Sequence, residues 1–298
     1  MRAVLMHETG GPDVLSVEET DRPTPGDGEV LIRVRAASVN PVDWKFRRGF
    51  MDVTFPAILG REASGTVEES NDDRFSPGDE VFGSVPRAQA EYATVSADAI
   101  AKKPEGLSHE QAATIPVAGL TAWQGLFDKA GLERSQTVLI SGAAGGVGHF
   151  AVQFARVAGA RAVGTGSGRN RDFVLGLGAD EFVDYTSEDV AGMVRDVDVA
   201  FDTVGGDVTA TLVPTLREGG VIVTIASAPP EDAAGERGAR AVMHVTSPNP
   251  EQLTRIAELV VSGEVRIELS EVLPLDEVRR AQELSESGHV RGKIVLTA

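Results

Sequence analysis

Three glycines open the chemistry of this chain. Residues 136–148 read Gln-Thr-Val-Leu-Ile-Ser-Gly-Ala-Ala-Gly-Gly-Val-Gly, an apolar strand running into Gly142, Gly145 and Gly148. Such a turn suits a dinucleotide. Gly142 makes the tight exit from the strand, Gly145 lets backbone approach a pyrophosphate, and Gly148 lets the next helix sit close to the sheet with its N-terminus facing the phosphates. Ala144, Gly146 and Val147 belong to the same cofactor-binding turn. With 33 glycines in 298 residues, chance matches are common, so the flanks decide. Residues 149–159 have helical periodicity closed by Gly159, and residues 161–165 form a second strand, which completes the strand–helix–strand unit.

The next chemical question is which dinucleotide. A site for NAD carries an acidic residue at the end of the second strand, about 20 residues past the glycines, to bond the ribose hydroxyls. Residues 164–171, Gly-Thr-Gly-Ser-Gly-Arg-Asn-Arg, hold no acid there and offer Ser167, Arg169 and Arg171 instead. A hydroxyl and two planar guanidinium groups suit a 2′-phosphate, because each fork can donate two charge-assisted hydrogen bonds. NADPH is therefore the expected cofactor. His149, one residue past the turn, reads as a first-turn helix residue more than as a cofactor contact.

These residues need a scaffold, and the pattern of the chain supplies one. The first 116 residues hold short β-like runs, such as 3–6, 30–34 and 65–67, separated by Pro, Gly and Asp turns, the mark of an irregular β domain. From Gly119 onward strands are expected at 136–141, 161–165, 180–184, 198–202 and 219–226 with helices between, which predicts a parallel sheet covered on both faces. Residues 227–240 lack periodicity and read as a mobile loop near the carboxyl ends of the strands. A strand is expected at 239–246, a helix from about 250 to 261, and further strands at 265–267, 273–275 and 293–296. No internal repeat or low-complexity segment is visible.

Composition narrows the function classes. The absence of cysteine excludes disulfides, thiol nucleophiles and thiolate metal sites. A net charge of −17, from 45 acids against 28 bases, argues against nucleic acid, which needs clustered Lys and Arg to release counterions. No apolar run approaches the roughly 20 residues that span a bilayer, and no N-terminal stretch reads as a targeting signal. No membrane partner is expected, and the protein should be cytoplasmic.

Several segments then carry a family resemblance in the right order: 36–45 (Ala-Ala-Ser-Val-Asn-Pro-Val-Asp-Trp-Lys), 56–60 (Pro-Ala-Ile-Leu-Gly), 78–83 (Gly-Asp-Glu-Val-Phe-Gly), the glycine turn, 198–206 (Asp-Val-Ala-Phe-Asp-Thr-Val-Gly-Gly) and 288–296 (Gly-His-Val-Arg-Gly-Lys-Ile-Val-Leu). The chain resembles zinc-free members of the medium-chain dehydrogenase/reductase superfamily, in the quinone oxidoreductase (ζ-crystallin-like) and enone reductase branch. The resemblance implies an α/β fold: a GroES-like substrate domain from 1–116 and 247–298, a Rossmann domain at 117–246 that binds NADPH, and an active site in the cleft. It also departs from zinc-dependent relatives, which carry a cysteine where this chain has Asn40 and a histidine where it has Arg61. With five scattered histidines and no His-x-x-x-His pair, no metal is expected.

In similar enzymes the segment holding Asn40, Trp44 and Lys45 faces the nicotinamide. An amide N–H or an ammonium could hold the carbonyl of a small quinone or enone while hydride arrives, and Lys45 could return a proton to the enolate. An Asp43–Lys45 ion pair is the structural alternative for Lys45; Asp43, Glu62 and Arg48 read as supporting residues. The resemblance further assigns Arg171 and Tyr185 to the 2′-phosphate, and Thr121 and Val117 to the lining of the nicotinamide. A non-catalytic NADPH-binding sensor or structural protein of the ζ-crystallin type stands as the second reading. A homodimer is expected, with the strand at 239–245 closing the Rossmann sheet and pairing with its symmetry mate.

Overall fold

In the computed structural model, which describes Met1–Ala298, the chain opens with β1 (Arg2–Met6), β2 (Leu15–Glu19), β3 (Glu29–Val39), β4 (Ala57–Ile58), β5 (Ala63–Ser70), β6 (Glu80–Gly83), β7 (Tyr92–Ser96) and β8 (Ile100–Lys102). Six strands follow, β9 (Thr137–Ile140), β10 (Arg161–Gly166), β11 (Glu181–Asp184), β12 (Val197–Asp202), β13 (Leu216–Thr224) and β14 (Arg240–Met243), and the chain closes with β15 (Leu269–Pro274) and β16 (Lys293–Thr297). Two units result: residues 1–117, 248–262 and 268–298 form one, and 118–247 with 263–267 form the other.

The first unit is built around β3. Its period-two pattern buries Val30, Ile32 and Val34 and exposes Arg33 and Arg35, so one face meets Val67, Val81, Val95 and Ile100 in a single core. The sheet runs β15-β16-β3-β5-β6-β8, with β7 also on β3, and a small sheet β2-β1-β4 stands apart. The register around the end of β3 matters most for chemistry. Ile294 of β16 pairs with Val39, and Ala63 of β5 pairs with Ala37. The residues just beyond these pairs, Lys293, Asn40 and Glu62, therefore emerge together from three adjacent strands.

The second unit holds six parallel strands in the order β11-β10-β9-β12-β13-β14. Counted within the unit this is 3-2-1-4-5-6, the doubly wound order of a Rossmann sheet, which takes ligands where the strand order reverses, between β9 and β12. Val138, Leu139 and Ile140 are all fully buried, as a strand covered on both faces must be.

Three sequence expectations change. Residues 227–240 are not simply a loop: a helix spans Glu231–Glu236 and buries Ala234 completely. Six residues after Pro229-Pro230 are too short to show a helical period. Residues 265–267 form no strand; Arg266 instead exchanges two backbone bonds with the buried Gln153 side chain, at 2.8 and 2.9 Å, which fixes this segment to the second unit. The strand expected at 239–246 stops at Met243.

Candidate active site

The glycine turn leaves β9 and enters the helix Gly148–Ala158. Gly142 has φ +62°, a left-handed conformation costly for any residue with a Cβ, and a Cβ there would also stand 2.7 Å from Thr203 Oγ1. At Gly148 a Cβ would lie 2.2 Å from the Gly142 carbonyl oxygen and 2.8 Å from Ala143 Cα, both backbone atoms. The helix N-terminus can thus fold onto the turn only without a side chain at Gly148. At Gly145 a Cβ would meet only the Gly142 oxygen, at 3.2 Å, so the backbone there stands open. These features fit a dinucleotide phosphate group. The His149 ring is buried and folds back on its own turn, with Nδ1 3.0 Å from the Gly145 oxygen and its centroid 4.4 Å from that of Phe150.

A buried carboxylate fixes the switch point. Asp202 at the end of β12 accepts from Ser141 Oγ at 2.6 Å, from the Val204 and Gly205 N–H groups at 3.0 and 3.2 Å, and from Thr209 Oγ1 at 2.5 Å. Thr203 in turn donates its N–H to Ser141 Oγ and its hydroxyl to the Ser141 carbonyl. The ends of β9 and β12 are therefore tied through side chains, a role for Ser141 and Asp202 that glycine spacing does not signal.

At the other end of the nucleotide region, Ser167 accepts from Asn170 Nδ2 at 3.3 Å, Arg169 is exposed, and the Tyr185 side chain is half-exposed. Arg171 donates to the Phe182 carbonyl at 3.2 Å, lies over the Phe182 ring and approaches Glu188 at 3.5 Å. Asp184, on the third strand and outside the sequence reading, also lies here: a Cβ on Gly168 would be 2.4 Å from its Oδ2. Its Oδ1 accepts from the Thr186 hydroxyl and N–H, and that hydroxyl bond leads the interactions holding its pKa below the usual range.

The first unit holds the second constellation. Asn40 follows directly on β3 and caps the helix Pro41–Arg47. It is 3% exposed, and both ends of its amide are held: Nδ2 donates to Glu62 Oε1 at 2.8 Å, and Oδ1 accepts from Lys293 Nζ at 2.5 Å. Lys293 and Glu62 also pair at 3.1 Å, buried. The other Glu62 oxygen accepts the Val117 N–H at 2.6 Å. Asp43 accepts from the N–H groups of Asn40 and Gly60, at 2.8 and 3.2 Å. Burial raises its pKa to about 6 against those hydrogen bonds and the Lys293 charge, while the Glu62 charge adds to the rise.

Lys45 does not join this cluster. Asp43 and Lys45 form no ion pair; the Lys45 ammonium lies 5.8 Å from the Trp44 ring centroid, and Phe50 meets that ring edge-on. Arg48 pairs with Glu286 at the surface, while the fully buried Arg47 reaches Gln282, the Gly10 carbonyl and Glu286. In the second unit the buried Thr121 bonds its hydroxyl to that of Thr246. No three or more His, Cys, Asp or Glu side chains gather as a metal ion would require, and no helix is long and apolar enough to cross a membrane.

Comparison with known proteins decides the family. Residues 26–105 match the alcohol dehydrogenase GroES-like domain, and residues 177–296 match the zinc-binding dehydrogenase family. The 2-methylene-furan-3-one reductase of Solanum lycopersicum is 34% identical over 99% of this chain and 79% of its own length. The structure of the quinone oxidoreductase from Coxiella burnetii superposes with a TM-score of 0.95 at 37% identity, covering 100% of this chain and 99% of that one. The chain belongs to the quinone oxidoreductase branch of the medium-chain dehydrogenase/reductase superfamily. Mycobacterial Rv1454c, solved as a complex with NADPH, is a further structural neighbour, with a TM-score of 0.92 at 28% identity over 100% of both chains. As a member of this branch the protein is an oxidoreductase that works with a nicotinamide cofactor, on a GroES-like unit and a Rossmann unit.

Proposed function

We propose that the protein is an NADPH-dependent reductase of quinones or α,β-unsaturated carbonyls that works without zinc. The observation that carries this reading is the Lys293 ammonium on the Asn40 amide oxygen. Asn40 stands where zinc-dependent relatives place a cysteine. A fixed ammonium 2.5 Å from that oxygen repels a metal cation and occupies one of the oxygen's lone pairs, and Arg61, where those relatives place a histidine, holds its guanidinium over the Phe46 ring. The residues present do not fit zinc. They do fit a group that collects negative charge, since the amide has two N–H donors and Glu62 takes one of them.

For NADPH the fit is at the other unit: the turn through Gly142, Ala144, Gly145, Gly146, Val147 and Gly148 would hold the pyrophosphate, and Ser167, Arg169, Arg171 and Tyr185 the 2′-phosphate. Bound nicotinamide supplies the hydride. The chain's own part is to orient the acceptor, meet charge on its oxygen with the remaining Asn40 N–H, and return a proton, the role proposed for the Lys45 ammonium. The test is to mix protein, NADPH and a panel of quinones and enones, with and without exhaustive chelation, and follow the absorbance of reduced nicotinamide. Oxidation that survives chelation supports the reading. No oxidation across the panel favours the sensor reading, and loss on chelation overturns zinc independence.

The same reading includes a cytoplasmic homodimer. β14 is the outermost strand of its sheet, paired on one side only, with Met243 and Val245 exposed beside it. A monomer by light scattering at micromolar concentration would remove the dimer from the proposal.

A further inference from the structure

We propose that Lys293 is a positioning residue for the reaction: its ammonium fixes and polarises the Asn40 amide, so that one amide N–H is tied to Glu62 and the other is presented as the donor to the acceptor oxygen. This rests on the proposed reductase reading and adds to it a residue that the sequence shows only as the first position of an apolar closing strand.

β16 and β5 flank β3, and their registers place Lys293 and Glu62 on either side of Asn40. All three side chains are buried, at 4%, 0% and 3% exposure. They close a triangle of contacts: Lys293 Nζ to Asn40 Oδ1 at 2.5 Å, Asn40 Nδ2 to Glu62 Oε1 at 2.8 Å, and Lys293 Nζ to the same Glu62 oxygen at 3.1 Å. An asparagine amide can ordinarily flip end for end. Here a donor-only group meets the oxygen and an acceptor-only carboxylate meets the nitrogen, so only one orientation satisfies both neighbours.

Burying an ammonium is costly, and one ion pair rarely repays it. Lys293 and Glu62 together could give way to apolar residues at little cost if stability were the only demand on a strand that otherwise reads Ile-Val-Leu-Thr. Its charge has a chemical consequence. Withdrawing electron density through Oδ1 makes the amide N–H a stronger donor, and a preorganised donor facing developing negative charge acts mainly in the transition state.

The test uses the full protein and three variants: Lys293→Met, Lys293→Arg and Asn40→Ala. Each is first checked by thermal melting and NADPH titration. With an enone that the unmodified protein turns over, Lys293→Met should lower kcat by about 10-fold while leaving the NADPH Kd within about two-fold, and Lys293→Arg should restore most of the loss. The double variant Lys293→Met/Asn40→Ala should be no slower than Asn40→Ala alone, because Lys293 acts through that amide; a purely structural lysine would give multiplying losses. A second readout needs no turnover. In the NMR spectrum of the cofactor-free protein, the Asn40 side-chain amide pair, assigned by its disappearance in Asn40→Ala, should move upfield in Lys293→Met and stay near its place in Lys293→Arg. Unchanged amide resonances, multiplying losses or full activity in Lys293→Met would each overturn the proposal while leaving the reductase reading intact; an unmodified protein that oxidises NADPH with none of the quinones or enones would instead overturn that reading.

Discussion

Replacing Gly148 by alanine tests the nucleotide cradle at its tightest point. The added Cβ would stand 2.2 Å from the Gly142 carbonyl oxygen and 2.8 Å from Ala143 Cα. An ordinary carbon–oxygen contact needs roughly 1 Å more, and both obstructing atoms are backbone, so no rotamer change relieves the overlap. Either the helix Gly148–Ala158 lifts off the turn or the turn opens. Overpacking of this kind costs about 1–3 kcal/mol. Helix propensity offsets up to about 1 kcal/mol of this in stability, since alanine is the better helix former. That offset does not help binding, because it leaves the displaced N–H groups where they are. The expected result is a modest fall in Tm with NADPH bound about 5- to 150-fold more weakly, the range that 1–3 kcal/mol spans. Gly235→Ala is the control: a Cβ there meets nothing within 4 Å, so stability should hold or rise and NADPH binding should not change. Fluorescence titration of NADPH into both variants reads the outcome. A Gly148→Ala protein that binds NADPH as tightly as the unmodified chain would refute the reasoning.

Two further predictions follow from groups whose partners are known. Arg171→Ala should narrow the preference for NADPH over NADH by about 10-fold, roughly 1.4 kcal/mol, because the guanidinium is half-exposed and already shared with the Phe182 carbonyl and Glu188; equal affinities for the two cofactors in the unmodified protein would sink the assignment. Asp43 should make stability fall as pH rises. Its proton is held up to about pH 6 in the fold but only to about 3.8 in the unfolded chain, so its contribution is fully present below pH 4 and is lost through pH 6, by roughly 3 kcal/mol. Asp43→Asn should flatten that part of the profile in denaturant titrations, and an unchanged difference between the two proteins from pH 4 to 7 would count against the burial argument.

The parallel sheet was legible because strands covered on both faces are near-continuous apolar runs, and the helix Pro250–Val261 because twelve residues display a full amphipathic period behind an Asn-Pro start. The helix Glu231–Glu236 was hidden by its brevity. The glycine turn could be read because its spacing is local. The Asn40–Glu62–Lys293 triangle could not: its members lie 22 and 231 residues apart and meet only through the strand register. Lys293 left one signal, a charge at the head of a closing strand that is otherwise apolar. Asp184 was missed for a related reason. The ribose-binding acid of an NAD site ends the second strand, whereas the parallel register sets Asp184 of the third strand beside Gly166.

The proposed reaction is direct hydride transfer from NADPH to an acceptor whose oxygen is met by Asn40. Stereospecifically deuterated NADPH with an enone acceptor tests it most directly. Deuterium should appear at the β-carbon of the product from one face of the nicotinamide only, with turnover lowered about 10²–10³-fold in Asn40→Ala and NADPH binding little changed. Label-free product from both deuterated isomers, or undiminished turnover in Asn40→Ala, would contradict it.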